Sequence, residues 1–327
     1  MEEVLSFRII QKIHLLTFCL ILWEGCGISE PSGIGESEII VTEGDNDGPT
    51  WSPDGRFIAY SSLNRTGGKQ IWIYDLQKGT ENQITRKGFN RLASWSPSSD
   101  FLVFASSEDP GVWIHPMDDS SNPYGINPGV NENTRNIDWL PGGNYIAVVS
   151  DLLSNGKNPL ILIDLLDGSK QTLKVSGFIA WGIDDSTYYY ASIEVNRSNQ
   201  DSVHIIIKYN YLTHLSDTLL IVHLNSSGSP YSEEISEVSI SPDEKWVVYS
   251  LVMADVGCFD TGISFSCFWE QNIRLSSTFD SEKGMLIDTL LTNNGESGNP
   301  SWSNDGSKIV FVSKGDIWIK DISDITN

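Results

Sequence analysis

The residue types able to do chemistry in this 327-residue chain are its carboxylates, four cysteines and five histidines. The densest carboxylate run is Glu43-Gly44-Asp45-Asn46-Asp47-Gly48, with Asp54 close behind. Oxygen ligands at such spacing imitate a calcium loop, so calcium is the one cofactor the residues suggest. The ligand pattern is incomplete and its flanks read as strands rather than helices, so the other reading is a plain connecting loop. Cys258 and Cys267 bracket the turn signal Asp260-Thr261-Gly262. Oxidised, they would staple a loop as a disulfide in an exported protein; reduced, they would be two thiols in a cytosolic one. A metal site there lacks further ligands, since no histidine lies near in sequence. His115, His204, His214 and His223 stand singly and read as structural. There is no Gly-x-Ser-x-Gly elbow, no His-Glu-x-x-His pair and no phosphate-binding glycine loop. No catalytic residue is assigned, and the expectation is a protein that is not an enzyme.

Charge narrows the partners. With 21 Lys and Arg against 43 Asp and Glu, the formal charge is −22. That balance repels phosphate backbones and argues against nucleic acid. It keeps an apolar-rich domain soluble, and it would also attract cations or a basic protein surface.

The N-terminus reads as an address. Arg8 and Lys12 precede the apolar run 15–23, which suits a signal-peptide core and is too short to span a bilayer. Residues 1–26 are therefore expected to be a signal peptide. Gly25-Cys26 resembles a degraded lipobox, which makes Cys26 a candidate lipidation site; ordinary cleavage near residues 25–29 is the alternative. Residues 27–37 are mostly Gly, Ser, Glu and Pro and read as a flexible tether. The expected location is the periplasm or cell envelope after bacterial export. Any membrane contact would come through that N-terminal lipid.

The elements that must position all these groups follow from a recurring corner. Trp51-Ser52-Pro53-Asp54-Gly55 is a turn, and Phe57-Ile58-Ala59-Tyr60 follows it as a short apolar strand. Equivalent corners begin at Trp95, Trp139, Trp181, Ile240 and Trp302, at intervals of 44, 44, 42, 59 and 62 residues. Periods of this length, rich in strands and turns, mean propeller blades, and the two long intervals are blades with insertions. In most copies the strand after the corner is apolar on both faces, as expected where neighbouring blades cover both sides. The tryptophans are expected to pack between blades, and Asp54, Asp243 and Asp305 to serve the turns. The sixth blade lacks a fourth strand, while Glu38-Ile39-Ile40-Val41-Thr42 reads as an orphan strand. The predicted fold is an all-β, six-bladed propeller over residues 38–327, its last blade closed by the N-terminal strand.

These repeats resemble the TolB-type, WD40-like β-propeller repeat. Pro49-Thr50-Trp51-Ser52-Pro53-Asp54-Gly55, the strand 57–60 and Ile71-Trp72-Ile73-Tyr74-Asp75 carry the resemblance, and Pro300-Ser301-Trp302 repeats its start. Copy six departs at Asn304, where the family has proline, and copy four lacks both prolines. The resemblance covers about residues 38–324 and implies an exported, non-enzymatic scaffold that binds a protein or an envelope component. TolB's α/β domain has no counterpart before the repeats, so a place in a Tol–Pal assembly is not expected. The alternative is a propeller-channel enzyme of lactonase or lyase type with a metal at the channel mouth. The stretches before the tryptophans hold mostly Pro, Ser, Ala and Gly, with Asn136 and Asp138 as exceptions, and this favours binding. The aromatic insertion 254–269 is a candidate contact surface or a cover for its blade edge. A monomer is expected.

Overall fold

The recurring corner sets the local geometry. Ser52 N donates to Phe57 O at 2.8 Å and Gly55 N to Ser52 O at 2.8 Å, which closes a tight hairpin. Inside it the Ser52 hydroxyl donates to Asp54 Oδ1 (2.5 Å) and accepts from Phe57 N (2.8 Å), while Asp54 also accepts from Arg56 N (3.0 Å). The same bonds recur at Ser241–Asp243 and Ser303–Asp305. The Ser-x-Asp pair therefore satisfies backbone groups that a tight turn strands.

The computed structural model describes residues 36–63, 65, 67–108, 111–118, 122–126, 134–150, 158–175, 179–195, 202–223, 231–255, 269–278 and 287–326. After β1 (Ser37–Val41), blade one is β2 (Asp45–Trp51), β3 (Phe57–Leu63), β4 (Gln70–Asp75) and β5 (Thr80–Gln83). Blade two is β6 (Asn90–Trp95), β7 (Phe101–Ser106), β8 (Val112–Pro116) and β9 (Tyr124–Ile126). Blade three is β10 (Thr134–Trp139), β11 (Tyr145–Ser150), β12 (Asn158–Asp164) and β13 (Lys170–Val175). Blade four is β14 (Ile179–Trp181), β15 (Thr187–Val195), β16 (Ser202–Asn210) and β17 (Leu215–His223). Blade five is β18 (Tyr231–Ile240), β19 (Trp246–Asp255), β20 (Trp269–Ser277) and β21 (Asp288–Leu290). Blade six is β22 (Ser297–Trp302), β23 (Lys308–Ser313) and β24 (Asp316–Asp321), followed by the one-turn helix α1 (Ser323–Thr326). Its fourth strand is β1, antiparallel to β24 with Ile39 opposite Trp318. The fold is a six-bladed β-propeller closed by its N-terminal strand, as the repeat predicts.

The core lies between blades. Each hydrophobic cluster joins two neighbours: Ile71 and Ile73 of blade one meet Leu102 and Phe104 of blade two, and Val41, Val310 and Ile317 of blade six meet Ile58 and Tyr60 of blade one. Central strands are covered on both faces, so Ile58, Ala59 and Tyr60 are all fully buried. Trp95 stacks on Phe57 of the preceding blade with centroids 6.0 Å apart, and Trp139 on Phe101 at 5.9 Å. The Trp95 indole also donates to Thr50 O (3.3 Å), and the Trp302 indole to Ser239 O (3.1 Å).

Blade four departs at its corner. Gly182 stands where four copies have serine and copy three has Leu140, and a Cβ there would meet Glu244 Oε1 of blade five at 2.7 Å. Glu244 occupies that space, bonded to Lys208 Nζ (2.6 Å) and Ile183 N (3.2 Å). Asp184 caps the turn instead, accepting from Ser186 N and its hydroxyl at 2.7 and 2.8 Å.

Candidate functional site

The first strand of every blade faces the propeller axis. In five of them the register slips three residues before the corner, at 47–50, 91–94, 134–136, 235–238 and 298–301. The extra residue of a bulge bends the strand and re-aims a side chain. Gly48, Leu92 and Asn299 take left-handed φ values of 56, 60 and 52° there. The bulges surround an axial cavity of about 410 Å³, walled by residues from all six blades. A second cavity of about 490 Å³ shares Trp139 and Pro141 with it and carries Pro53, Pro97 and Asn304 on its rim.

The wall is mainly small or apolar, with polar groups concentrated on blades three, five and six. Asp138 leaves one edge open to the cavity. Its carboxylate accepts from Asn136 Nδ2 at 2.7 Å, and that amide also reaches Ile179 O on blade four at 3.1 Å. Burial pushes the Asp138 carboxyl up to about 7, only partly offset by the Asn136 hydrogen bond. A group poised there gives up or takes a proton near neutral pH. Glu237 bridges blades five and six, accepting from Gln271 Nε2 (2.9 Å), Asn299 N (3.2 Å) and Asn299 Nδ2 (3.1 Å). Arg135 also lines the same wall. Among the described residues no three His, Cys, Asp or Glu side chains converge to hold a metal ion. The arrangement can accept hydrogen bonds from amines, amides or hydroxyls from opposite sides of the axial cavity, at Asp138 and at Glu237.

Of the acidic run 43–48, the part from Asp45 onward belongs to β2. Asp45 and Asp47 lie at the start of β2, paired with Leu63 and Ser61, so the run is strand rather than loop. Asp47 binds Lys69 Nζ, whereas Asp54 sits past the opposite end of the strand. Trp51, Trp95, Trp139 and Trp302 end first strands, as does Trp181, which meets Tyr188 and Tyr211 edge-on at 5.7 and 6.4 Å. Buried His204 faces Ile235 N through Nδ1 at 3.4 Å, within the interface of blades four and five. Cys26, Cys258 and Cys267 lie outside the described residues. Asn136 and Asp138 emerge from sequence as exceptions in the channel-facing stretches; Glu237, Asn299 and Arg135 do not. The missed signal was positional: counting three back from each corner gives Gly48, Leu92, Asn136, Glu237 and Asn299.

No protein-family model matches the chain. It is 41% identical over 91 residues to an uncharacterized protein of Agrobacterium fabrum, covering 27% of this chain and 29% of that one. It is 39% identical over 62 residues to the Tol-Pal system protein TolB of Alcanivorax borkumensis, covering 19% and 14% respectively. Each match spans less than a third of the relative's own length. TolB from Acinetobacter baumannii superposes with a TM-score of 0.53 at 22% identity, over 79% of this chain and 57% of that one. A gluconolactonase from Xanthomonas campestris (TM-score 0.55, 12% identity, 90% and 92% covered) and an oligogalacturonate lyase from Vibrio parahaemolyticus (0.52, 12%, 88% and 94%) share the fold.

Proposed function

We propose, on the premise that the chain is a TolB-type β-propeller repeat protein, that it works as an exported scaffold whose axial channel holds a polypeptide or an envelope component. The channel wall carries this reading. Its carboxylates Asp138 and Glu237 are already tied by protein hydrogen bonds, while the remaining wall mixes small and apolar residues with the polar Thr50, Ser94, Arg135, Asn136, Ser239, Asn299 and Ser301. Such a wall accepts hydrogen bonds from a threaded backbone or amine without supplying a nucleophile–base pair. Export rests on the expected signal segment, and a protein partner suits both the TolB-type repeat and the acidic surface.

The test is a photo-crosslinking residue at Ala93 in the tagged full chain, produced in cells. The expected result is an envelope polypeptide cross-linked at that position, identified by mass spectrometry and diminished by D138N combined with E237Q. A second reading draws on Asp138, whose proton is lost near neutral pH: acid–base chemistry on a small ligand in the channel. Turnover of a lactone or uronate oligomer that D138N abolishes, with no cross-linked polypeptide, would replace the scaffold reading by this one.

A further inference from the structure

In each blade the turn after the first strand and the turn after the third lie at the same end of the molecule. At that end, on blades three and four, sit the four most exposed large apolar side chains among the described residues. Leu166 is 82% exposed, Leu215 68%, Leu212 67% and Ile183 65%. They come from three separate turns and the start of edge strand β17. Unlike scattered surface leucines, they ride on a cross-braced platform. Leu165 N bonds Asn144 O (2.8 Å), Tyr211 N bonds Ser186 O (3.0 Å) and Gly142 N bonds Asp185 Oδ1 across the blade boundary (2.6 Å).

Carboxylates are interleaved with these aliphatics: Asp167 follows Leu166, Asp184 and Asp185 follow Ile183, and Asp217 follows Leu215 within two residues. Hydrogen bonds from Ser169 hold the Asp167 carboxyl below the usual range. Burial opposes ionisation of Asp184, yet its bonds from Ser186 and Thr187 outweigh that and lower it. The face thus stays anionic well below neutral pH. Exposed, rigid aliphatic groups with a persistent charge around them mark a contact surface rather than a solvated one.

We infer that this face of blades three and four docks a basic amphipathic polypeptide segment, its aliphatic side chains on Leu166, Ile183, Leu212 and Leu215 and its lysines or arginines against the interleaved aspartates. An anionic bilayer is disfavoured by the same carboxylates, and a second copy would set aspartates against aspartates. None of the four aliphatic residues lines the axial cavity.

The test is fluorescence anisotropy of the full chain with a synthetic lysine–leucine peptide patterned as an amphipathic helix. Binding should weaken roughly tenfold in the L212S/L215S variant, which is the scale expected when central apolar anchors are lost. D217N should reduce the salt dependence, and D138N should change nothing. A lysine–serine peptide of equal charge should bind no differently to parent and leucine variant. The inference is overturned if the leucine variant binds the lysine–leucine peptide as tightly as the parent. It is also overturned if an acidic glutamate–leucine peptide binds equally, if sedimentation shows a dimer that the variant abolishes, or if phosphatidylglycerol vesicles compete for the same leucines.

Discussion

At the scale of single residues, two kinds of polar side chain matter: those that complete turns and those that face the channel. Ser52 is fully buried, and its hydroxyl is the acceptor for Phe57 N. S52A strands that amide and loosens Asp54, which should cost about 1–3 kcal/mol. A thermal melt several degrees below the parent is expected, with S241A and S303A alike because their bonds are alike; unchanged melts would show that water replaces the hydroxyl. Asp138 makes a prediction of opposite character. Its carboxyl, raised to about 7 by burial, keeps its proton in the folded chain where the unfolded chain has already lost it. The native state therefore binds more protons between the ordinary carboxylate range and about 7, and its stability falls as pH rises through that window. D138N removes this titration. Its melting temperature relative to the parent should climb from pH 4 to pH 7.5, and a constant difference would mean the carboxyl is solvated.

At the scale of elements, β1 and the bulged first strands carry the design. β1 is remote in sequence from the blade it completes. It contributes buried Val41 and places Ile39 against the cluster shared by blades five and six. Deleting residues 38–43 removes that strand and its two apolar anchors, worth about 1.5–3 kcal/mol each, and reopens the ring. A drop of roughly 10 °C or more in melting temperature is expected; an unaltered melt would mean that β24 ends the sheet without it. The first strands do a different job. Their bulges turn the residue three places before the corner toward the axis, so the channel is built from the least regular part of each repeat.

At the scale of the molecule, the architecture is a ring of interfaces. No blade has a core of its own, so each insertion had to leave both faces of its central strands covered. The ring also determines what the surface charge does. Carboxylates outnumber lysines and arginines 43 to 21 over the chain, and beside the aliphatic turns of blades three and four they select a basic partner.

The order of the chain alone determined the blade count, the closure by β1 and the role of the corners, because a repeat fixes its own period and the tryptophan, serine, aspartate and glycine of the turn act locally. It also marked Asn136 and Asp138, since polar residues stand out in a stretch of Pro, Ser and Ala. Glu237 and Asn299 escaped because the bulge that turns the third residue before a corner toward the axis arises from pairing with the next strand, which local composition does not announce. The supposed acidic loop became a strand because pairing with β3 satisfies its backbone, a gain invisible to local ligand spacing. Only the closed ring could decide which polar groups wall the axial cavity and which exposed leucines share one end, because both depend on neighbours far apart in the chain.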